Sequence, residues 1–377
     1  MDFKINFYNL LILASVFIGL TFCLLLIFSK RINQKANRFL GLAALVIVLW
    51  NIWVLSHDLD FFRYASRFYL IPLNFSLALG PSLFFYTKSI SDSNFFFSKK
   101  KLIHYIPVFL ELVVHVIISV EAIDKELLAT STNAFAIWIP IIQLLAIVSV
   151  IVYSAFALQE IKTYHKWIES NYSNSSTYGL GWLYRLLFIF ALFWFLWIPY
   201  TFVDYFFYNY KLGIKDYYPL YLLMSGITIW ISAEAYLKPE VILLERKAPP
   251  EIEKQEPTED ILKKANWLIK QMEHNLFYLN PELTLTSLAE SLEVHPNKLS
   301  KIINEGIGKS FSDFVNAYRT KAVVQRLENH DYDHITLLGI SFECGFNSKT
   351  TFNRVFKEIM GVTPFEYKKS ISDEHAT

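Results

Sequence analysis

Between Phe7 and Leu237 the chain is a succession of apolar stretches, each about as long as a bilayer core is thick, and few soluble folds can hide so much apolar surface. At roughly 20 residues per membrane-crossing helix, the pattern predicts seven spans: Phe7–Phe28, Phe39–Ser56, Phe68–Tyr86, Ile103–Ala122, Phe135–Leu158, Leu183–Tyr205 and Tyr217–Leu237. Pro72, Pro81, Pro107, Pro140, Pro199 and Pro219 fall inside or at the edges of these stretches, which bundled membrane helices tolerate and soluble helices rarely do. The first stretch is too long for a signal-peptide core and has neither a basic segment before it nor a small-residue cleavage site after it. It is expected to stay in place as a helix.

Orientation follows from Lys and Arg in the short loops. Lys30, Arg31, Lys35, Arg38, Lys88, Lys99, Lys100, Lys101, Lys162, Lys166 and Arg185 fall on one side, eleven in all. The other side has six, Lys4, Arg63, Arg67, Lys125, Lys211 and Lys215, diluted by Asp58, Asp60, Glu121, Asp124, Glu126 and Asp216. This predicts an outside N-terminus, a cytoplasmic C-terminus and a place in the cell's inner (cytoplasmic) membrane. The outside loops are short, and the last is crowded with aromatic residues (Tyr205 to Tyr218), as at a bilayer interface. Only two cysteines occur, Cys23 and Cys344, neither at metal-ligand spacing, so no disulfide framework and no metal site are expected.

The composition changes beyond Leu237. Residues 238–258 carry Pro249, Pro250 and Pro257 among alternating charges, the make-up of an extended linker. From Asp260 the apolar period is helical. Leu262, Ala265, Leu268 and Met272 mark one amphipathic helix; Thr284 caps a second that buries Leu285, Leu288, Ala289 and Leu292. After a short turn, Pro296 opens a third, burying Leu299, Ile302 and Ile303. Helix, tight turn, helix is the pattern of a helix-turn-helix unit.

The pattern then repeats. Thr336 caps a helix with Leu337 and Ile340, a turn follows at Gly345–Asn347, and another helix carries Phe352, Val355 and Phe356. Ala289 matches Ser341 and Val294 matches Phe346 at an offset of 52 residues; Gly308 matches Gly361 at 53. Between the two, Ser310 to about Glu328 reads as one long helix, roughly 28 Å at 1.5 Å per residue. That is close to the ~34 Å separating successive major grooves on one face of a duplex.

Two stretches carry a resemblance. GISFECGFNSKTTFNRVFKEIMGVTPFEYKKS (Gly339–Ser370) resembles the signature region of AraC/XylS-type transcription regulators, and Leu283–Arg319 resembles that family's first helix-turn-helix and connecting helix. The likeness covers roughly residues 260–370, and is to a variant in which this module follows a membrane domain. It implies sequence-specific DNA binding by two helix-turn-helix units, with dimerisation or ligand control supplied elsewhere in the chain. Glu293 stands where the first turn often has Gly, His295 where Ser or Thr usually caps, and Ser341 where Ala is common. The expected architecture is all-α: a seven-helix transmembrane bundle (1–237), the linker (238–258), a cytoplasmic domain of two helix-turn-helix units joined by a long helix (259–370) and a tail (371–377).

Residues 260–377 hold 14 Lys and Arg against 15 Asp and Glu, which argues against indiscriminate coating of nucleic acid. Locally the balance reverses. Asn297, Lys298, Lys301 and Asn304 precede the first acid, Glu305; Lys349, Thr350, Asn353, Arg354 and Lys357 precede Glu358. Arg and Asn suit bidentate contacts to guanine and adenine edges, whereas Lys and Thr more often hold phosphates. A single Lys-rich helix face is usually just solvated. Two at matched positions in a repeat favour double-stranded DNA, with Arg354 the leading base reader and Lys301 its counterpart.

Within the spans, Glu111 and His115 lie one turn apart on one face, and ionisable residues there are costly enough to suggest a signal or ligand site, with a structural hydrogen bond weighing equally. Asn51, Asn74 and Gln143 are read as helix-packing residues, and Asp204 and Glu234 as hydrated groups near span ends. No HExxH, GxSxG, phosphate-binding glycine loop or kinase-type histidine occurs, so neither an enzyme nor a cofactor is expected. The expected partners are DNA, the lipid bilayer, a small ligand or membrane protein, and a second copy of the chain. Two other roles for the bundle stay open: a carrier whose occupancy controls the DNA-binding part, and a tether from which that part is released by proteolysis.

Overall fold

The structure is a computed structural model describing residues 5–28, 33–59, 61, 68, 70–92, 94–125, 132–174, 178–208, 212–237, 259–329, 332 and 334–374. The linker expected at 238–258 and the end of the tail lie outside them. Regular structure among the described residues is helical, and the chain divides into two compact units: residues 1–162 with 181–246, and residues 163–180 with 247–377.

The first unit contains α1 (Phe7–Phe28), α2 (Gln34–Asp58), α3 (Leu79–Ser91), α4 (Ile106–Asp124), most of α5 (Asn133–Asn171), α6 (Gly181–Tyr208) and α7 (Tyr218–Leu237). Five helical stretches among the described residues are long and apolar enough to cross a membrane: α1, α2, Lys99–Asp124, α5 and α6. Their outer faces suit lipid better than water. Phe7, Phe17, Phe109, Leu144, Phe195 and Phe207 are exposed, while Asn9, Ser15, Asn51, Glu111, Asp204 and Ser225 are buried. Small residues let helices close up: a Cβ on Gly19 would meet Val48 Cγ2 at 2.6 Å, and one on Gly41 would meet Ile27 Cγ1 at 2.7 Å. Asn51 ties three helices, its Nδ2 donating to Ser225 Oγ at 3.0 Å and lying 3.5 Å from Ser15 Oγ.

One expected span takes a different form. In place of a helix over Phe68–Tyr86, residues 71–75 are irregular, a short 3-10 turn covers Ser76–Ala78, and α3 then runs for only 13 residues. Pro72 disfavours a helical conformation in the residue before it and has no amide hydrogen to offer a helix. The backbone groups this frees need other partners. One is found by Leu77 N, which donates to Glu111 Oε2 at 3.0 Å.

In the second unit α8 (Glu259–Asn275) precedes α9 (Leu285–Ser291), α10 (Pro296–Lys301), α11 (Phe311–Glu328), α12 (Leu337–Glu343), α13 (Lys349–Met360) and α14 (Pro364–Glu374). Two apolar cores form around α11. Leu268, Leu288, Leu299 and Val315 belong to one, and Val323, Ile340, Phe352 and Phe356 to the other. Each of these side chains is fully buried, a contribution of about 1.5–3 kcal/mol apiece.

Candidate nucleic-acid interface

The two halves of the second unit repeat one another bond for bond. In the first, Leu288 N donates to Thr284 O, Leu292 N to Leu288 O, Glu293 N to Glu290 O and Val294 N to Ala289 O; in the second, Ile340 N donates to Thr336 O, Cys344 N to Ile340 O, Gly345 N to Phe342 O and Phe346 N to Ser341 O. Each turn bends through one left-handed residue, Glu293 (φ 55°) and Gly345 (φ 91°). Each pair ends on another, Gly308 (φ 73°) and Gly361 (φ 78°). Ser310 and Thr363 then cap the next helix through Asp313 N and Glu366 N. A shared sequence skeleton has become a shared hydrogen-bond skeleton.

The second helix of each pair is held by its cap. Ser348 Oγ accepts from Thr351 N at 3.2 Å at the start of α13, and the His295 ring does the same work for α10, Nδ1 accepting from Asn297 N at 3.2 Å. The cap that a histidine seemed to forgo is therefore made. Beyond Lys301 the helix widens into a π-type turn over Ile302–Ile307. There Gly306 lies so close to α8 that a Cβ would meet Ala265 Cβ at 2.9 Å.

Asn297, Lys298 and Lys301 are exposed on α10, and Asn304 is half-buried in the π turn, its Nδ2 donating to Ser300 Oγ at 3.2 Å. On α13, Lys349, Thr350, Asn353, Arg354 and Lys357 are all exposed, opposite the buried Thr351, Phe352, Val355 and Phe356. Lys301 and Arg354 share a further feature. Lys301 Nζ lies 3.7 Å from Glu305 and Arg354 Nη1 lies 3.1 Å from Glu358, the same i,i+4 pairing in both halves. The Arg354–Glu358 pair is exposed and contributes only about 0.3–0.5 kcal/mol, so its guanidinium is readily redirected to a base or phosphate, whereas Glu305 is mostly buried beside Lys301.

Sequence reasoning missed a clamp within this unit. Arg319 on α11 is 1% exposed. It donates through Nε to Tyr278 O (2.8 Å), through Nη2 to Asn280 O (2.7 Å) and Ser173 Oγ (3.1 Å), and through Nη1 to Asn316 Oδ1 (3.4 Å). Burial pushes its guanidinium pKa down to about 10, which still leaves it charged at neutral pH. Ser173 itself donates to Leu283 O through N (3.2 Å) and Oγ (2.7 Å), while its carbonyl accepts from Ser312 Oγ and Asn316 Nδ2, both at 3.3 Å. Tyr172 pairs with Thr284 in an antiparallel bridge. A segment expected to be a plain loop between spans is thus an integral part of this unit. Glu169, a few residues earlier, is within electrostatic reach of Arg354, Glu358 and Asp313.

Glu111 and His115 sit in the first unit, where both line a cavity with Trp53 and Asn74. Glu111 is buried and engaged through both oxygens, Oε1 accepting from Ser76 Oγ at 2.5 Å and Oε2 from Leu77 N at 3.0 Å. It anchors the irregular start of α3. His115 Nε2 lies 3.4 Å from Ser119 Oγ. Asn74 and Gln143, read from sequence as helix-packing residues, each carry a buried amide oxygen with no hydrogen-bond partner among the described residues. Asp204 differs from expectation: it is 3% exposed rather than hydrated, since Tyr217 and Leu212 close over it.

Comparison with known proteins fits this geometry. A helix-turn-helix domain family matches residues 288–370. The chain is 28% identical over 117 residues to the HTH-type transcriptional regulator YtdP of Bacillus subtilis, 30% of this chain and 15% of that protein. It is 27% identical over 85 residues to the HTH-type transcriptional regulator Rv1931c of Mycobacterium tuberculosis, 22% of this chain and 32% of that protein. It is 31% identical over 90 residues to the HTH-type transcriptional regulator YpdC of Escherichia coli, 24% of this chain and 30% of that protein. The chain therefore spans less than a third of the length of each of these relatives. No solved structure matches. The C-terminal part is a helix-turn-helix domain of the kind found in transcriptional regulators, and the similarity supports DNA binding in transcription regulation.

Proposed function

We propose that the chain is a membrane-embedded, sequence-specific transcription regulator: a seven-span bundle with its N-terminus outside, and a cytoplasmic domain whose two helix-turn-helix units read successive major grooves of double-stranded DNA. The observation that carries the reading is the repeated hydrogen-bond skeleton, which leaves Lys301 and Arg354 exposed at equivalent places. Arg354 and Asn353 read bases in the second unit, with Lys301 and Asn297 in the first. Lys298, Asn304, Lys349, Thr350 and Lys357 hold phosphates and set register. A homodimer provides paired half-sites, and a small ligand or a membrane partner provides the stimulus.

The segment around Ser173 is suited to carry that stimulus, being continuous with α5 and clamped to α11 by Arg319. Glu169 places an acid near Arg354, where a DNA phosphate would be repelled, so a shift of this segment changes the access of α13 to DNA.

The test is selection of randomised duplexes by the full chain in lipid nanodiscs, with Lys301→Ala and Arg354→Ala in parallel. A selected motif with two contact regions about one helical turn apart is expected, each variant relaxing one region at a cost of roughly 1–3 kcal/mol. Binding that shows no sequence preference and vanishes with modest salt would refute the reading.

A further inference from the structure

A second cavity in the first unit, about 180 Å3, adjoins the one beside Glu111 and shares Trp53, Asn74 and Phe135 with it. One wall is a sheet of aromatic rings. Trp50 lies 5.9 Å from Trp194 and 5.4 Å from Trp197, and Trp197 continues to Tyr217 at 6.2 Å and Tyr221 at 5.9 Å, all centroid distances. Against this wall stands the Asp204 carboxylate. Its Oδ2 accepts from Tyr217 Oη at 2.5 Å and its Oδ1 from Leu212 N at 3.2 Å. A carboxylate offers about four acceptor sites, so about half of its capacity stays free. Among the described residues no Lys, Arg or His pairs with it.

Three more polar groups of the lining have no partner among the described residues: the Trp194 Nε1 donor and the acceptors Asn74 Oδ1 and Gln143 Oε1. The third wall is the irregular backbone at Asn74 and the turn at Ser76. Non-helical backbone at membrane depth persists where it is buried in protein or lines a polar cavity. A buried carboxylate with no counter-charge among the described residues, unused acceptors and electron-rich ring faces are all satisfied by one kind of guest, a positively charged nitrogen.

We propose that this cavity is a binding site for a small organic ammonium ion. The charged head lies against the Trp194 and Trp197 faces with Asp204 as its counter-charge. The Asn74 and Gln143 carbonyls accept from its polarised N–H or C–H groups, and the Trp194 indole N–H donates to an oxygen on the guest. An engineered protein cavity of about 150 Å3 holds benzene, so the guest's head is about the size of one ring or a trimethylammonium group. The adjoining cavity by Glu111 and His115 takes a short tail. This deepens the reading of the bundle as a receiver, but it is measured without DNA. Failure here leaves DNA binding standing, and the reverse also holds.

The experiment is intrinsic tryptophan fluorescence of the full chain in nanodiscs, titrated with choline, tetramethylammonium and phenethylammonium, and with the uncharged carbon isostere of choline. Saturable quenching by at least one cation is expected, with the isostere at least tenfold weaker. Asp204→Asn is expected to weaken cation binding at least tenfold and leave the isostere unchanged. Trp53→Leu, which removes a lining ring but none of the hydrogen bonds around Asp204, is expected to weaken it severalfold, and it decides the matter if Asp204→Asn does not fold. No saturable response to any of the cations, an isostere that binds as tightly as choline, or wild-type affinity in both variants would overturn the proposal.

Discussion

Replacing Arg319 with lysine keeps the charge and most of the volume, yet it should open the DNA-binding unit. The guanidinium reaches Tyr278 O, Asn280 O, Ser173 Oγ and Asn316 Oδ1 from three nitrogens spread in a plane. A single ammonium can serve one side of that arrangement, leaving about two charged-donor bonds unmade in a site 1% exposed. At about 1.5–3 kcal/mol each, the loss is roughly 3–6 kcal/mol, equivalent to an opening equilibrium raised at least a hundredfold. Hydrogen exchange on the full chain in nanodiscs reads this directly. Amides over Tyr278–Leu283 and along α11 should exchange at least a hundredfold faster, with α1 and α2 unchanged. Ser173→Ala alone should give a smaller increase, and combined with Arg319→Lys it should add less than its separate effect, because the two share the Arg319–Ser173 bond while the Ser173–Leu283 bond is lost only with the serine. Protection within threefold of wild type in Arg319→Lys, or simple additivity of the two changes, would show that the buried guanidinium is not a clamp.

Gly345→Ala should be more damaging than its size suggests. The residue has φ 91°, and the new Cβ would stand 2.3 Å from Tyr278 O and 2.9 Å from Arg319 Nε, so a loss of several kcal/mol and a sharply lower melting temperature are expected. Glu293→Gly should do the opposite, since at φ 55° it relieves a left-handed conformation at an exposed turn; denaturant unfolding should show a gain of about 0.5–1 kcal/mol. Burial pushes the Cys344 thiol from 9.0 up to about 11, so at pH 8 about one molecule in a thousand carries the reactive thiolate, against about one in ten for an unshifted thiol. Its alkylation should be slow, rise about tenfold per pH unit up to pH 11, and become fast in Gly345→Ala; fast labelling of the folded wild type at pH 8 would contradict this.

What sequence could disclose here was whatever repeats or recurs locally. Thr284 and Thr336 cap helices because a hydroxyl beside an apolar-periodic run has one good use, and that use needs only the next three residues. The two exposed cationic faces were visible because the buried skeleton beneath them recurs at nearly constant offset. The Ser173–Arg319 clamp was not visible, since its partners lie 146 residues apart and neither belongs to a periodic pattern. The aromatic cavity was hidden for a related reason. Asn74, Gln143 and Asp204 each look like an isolated polar residue in an apolar run, and only folding brings them to one space. The form of the third span was hidden because hydropathy registers residues 71–78 as apolar without registering that Pro72 and Glu111 favour an irregular path.

The split make-up of the second unit has a consequence for how the protein is made. Its first contribution to the clamp, Ser173, leaves the ribosome 146 residues before Arg319, and α6 and α7 are synthesised in between. At about 5–20 residues per second that is a wait of roughly 7–30 seconds. Leu283 arrives after 110 residues and Arg319 only after 146, so the partners of Ser173 are incomplete until then. A product of internal initiation downstream of Ser173 has neither Tyr172 nor Ser173. A complete clamp therefore needs the segment around Ser173 as well as residues 259–329, which ties the integrity of the second unit to an earlier part of the chain.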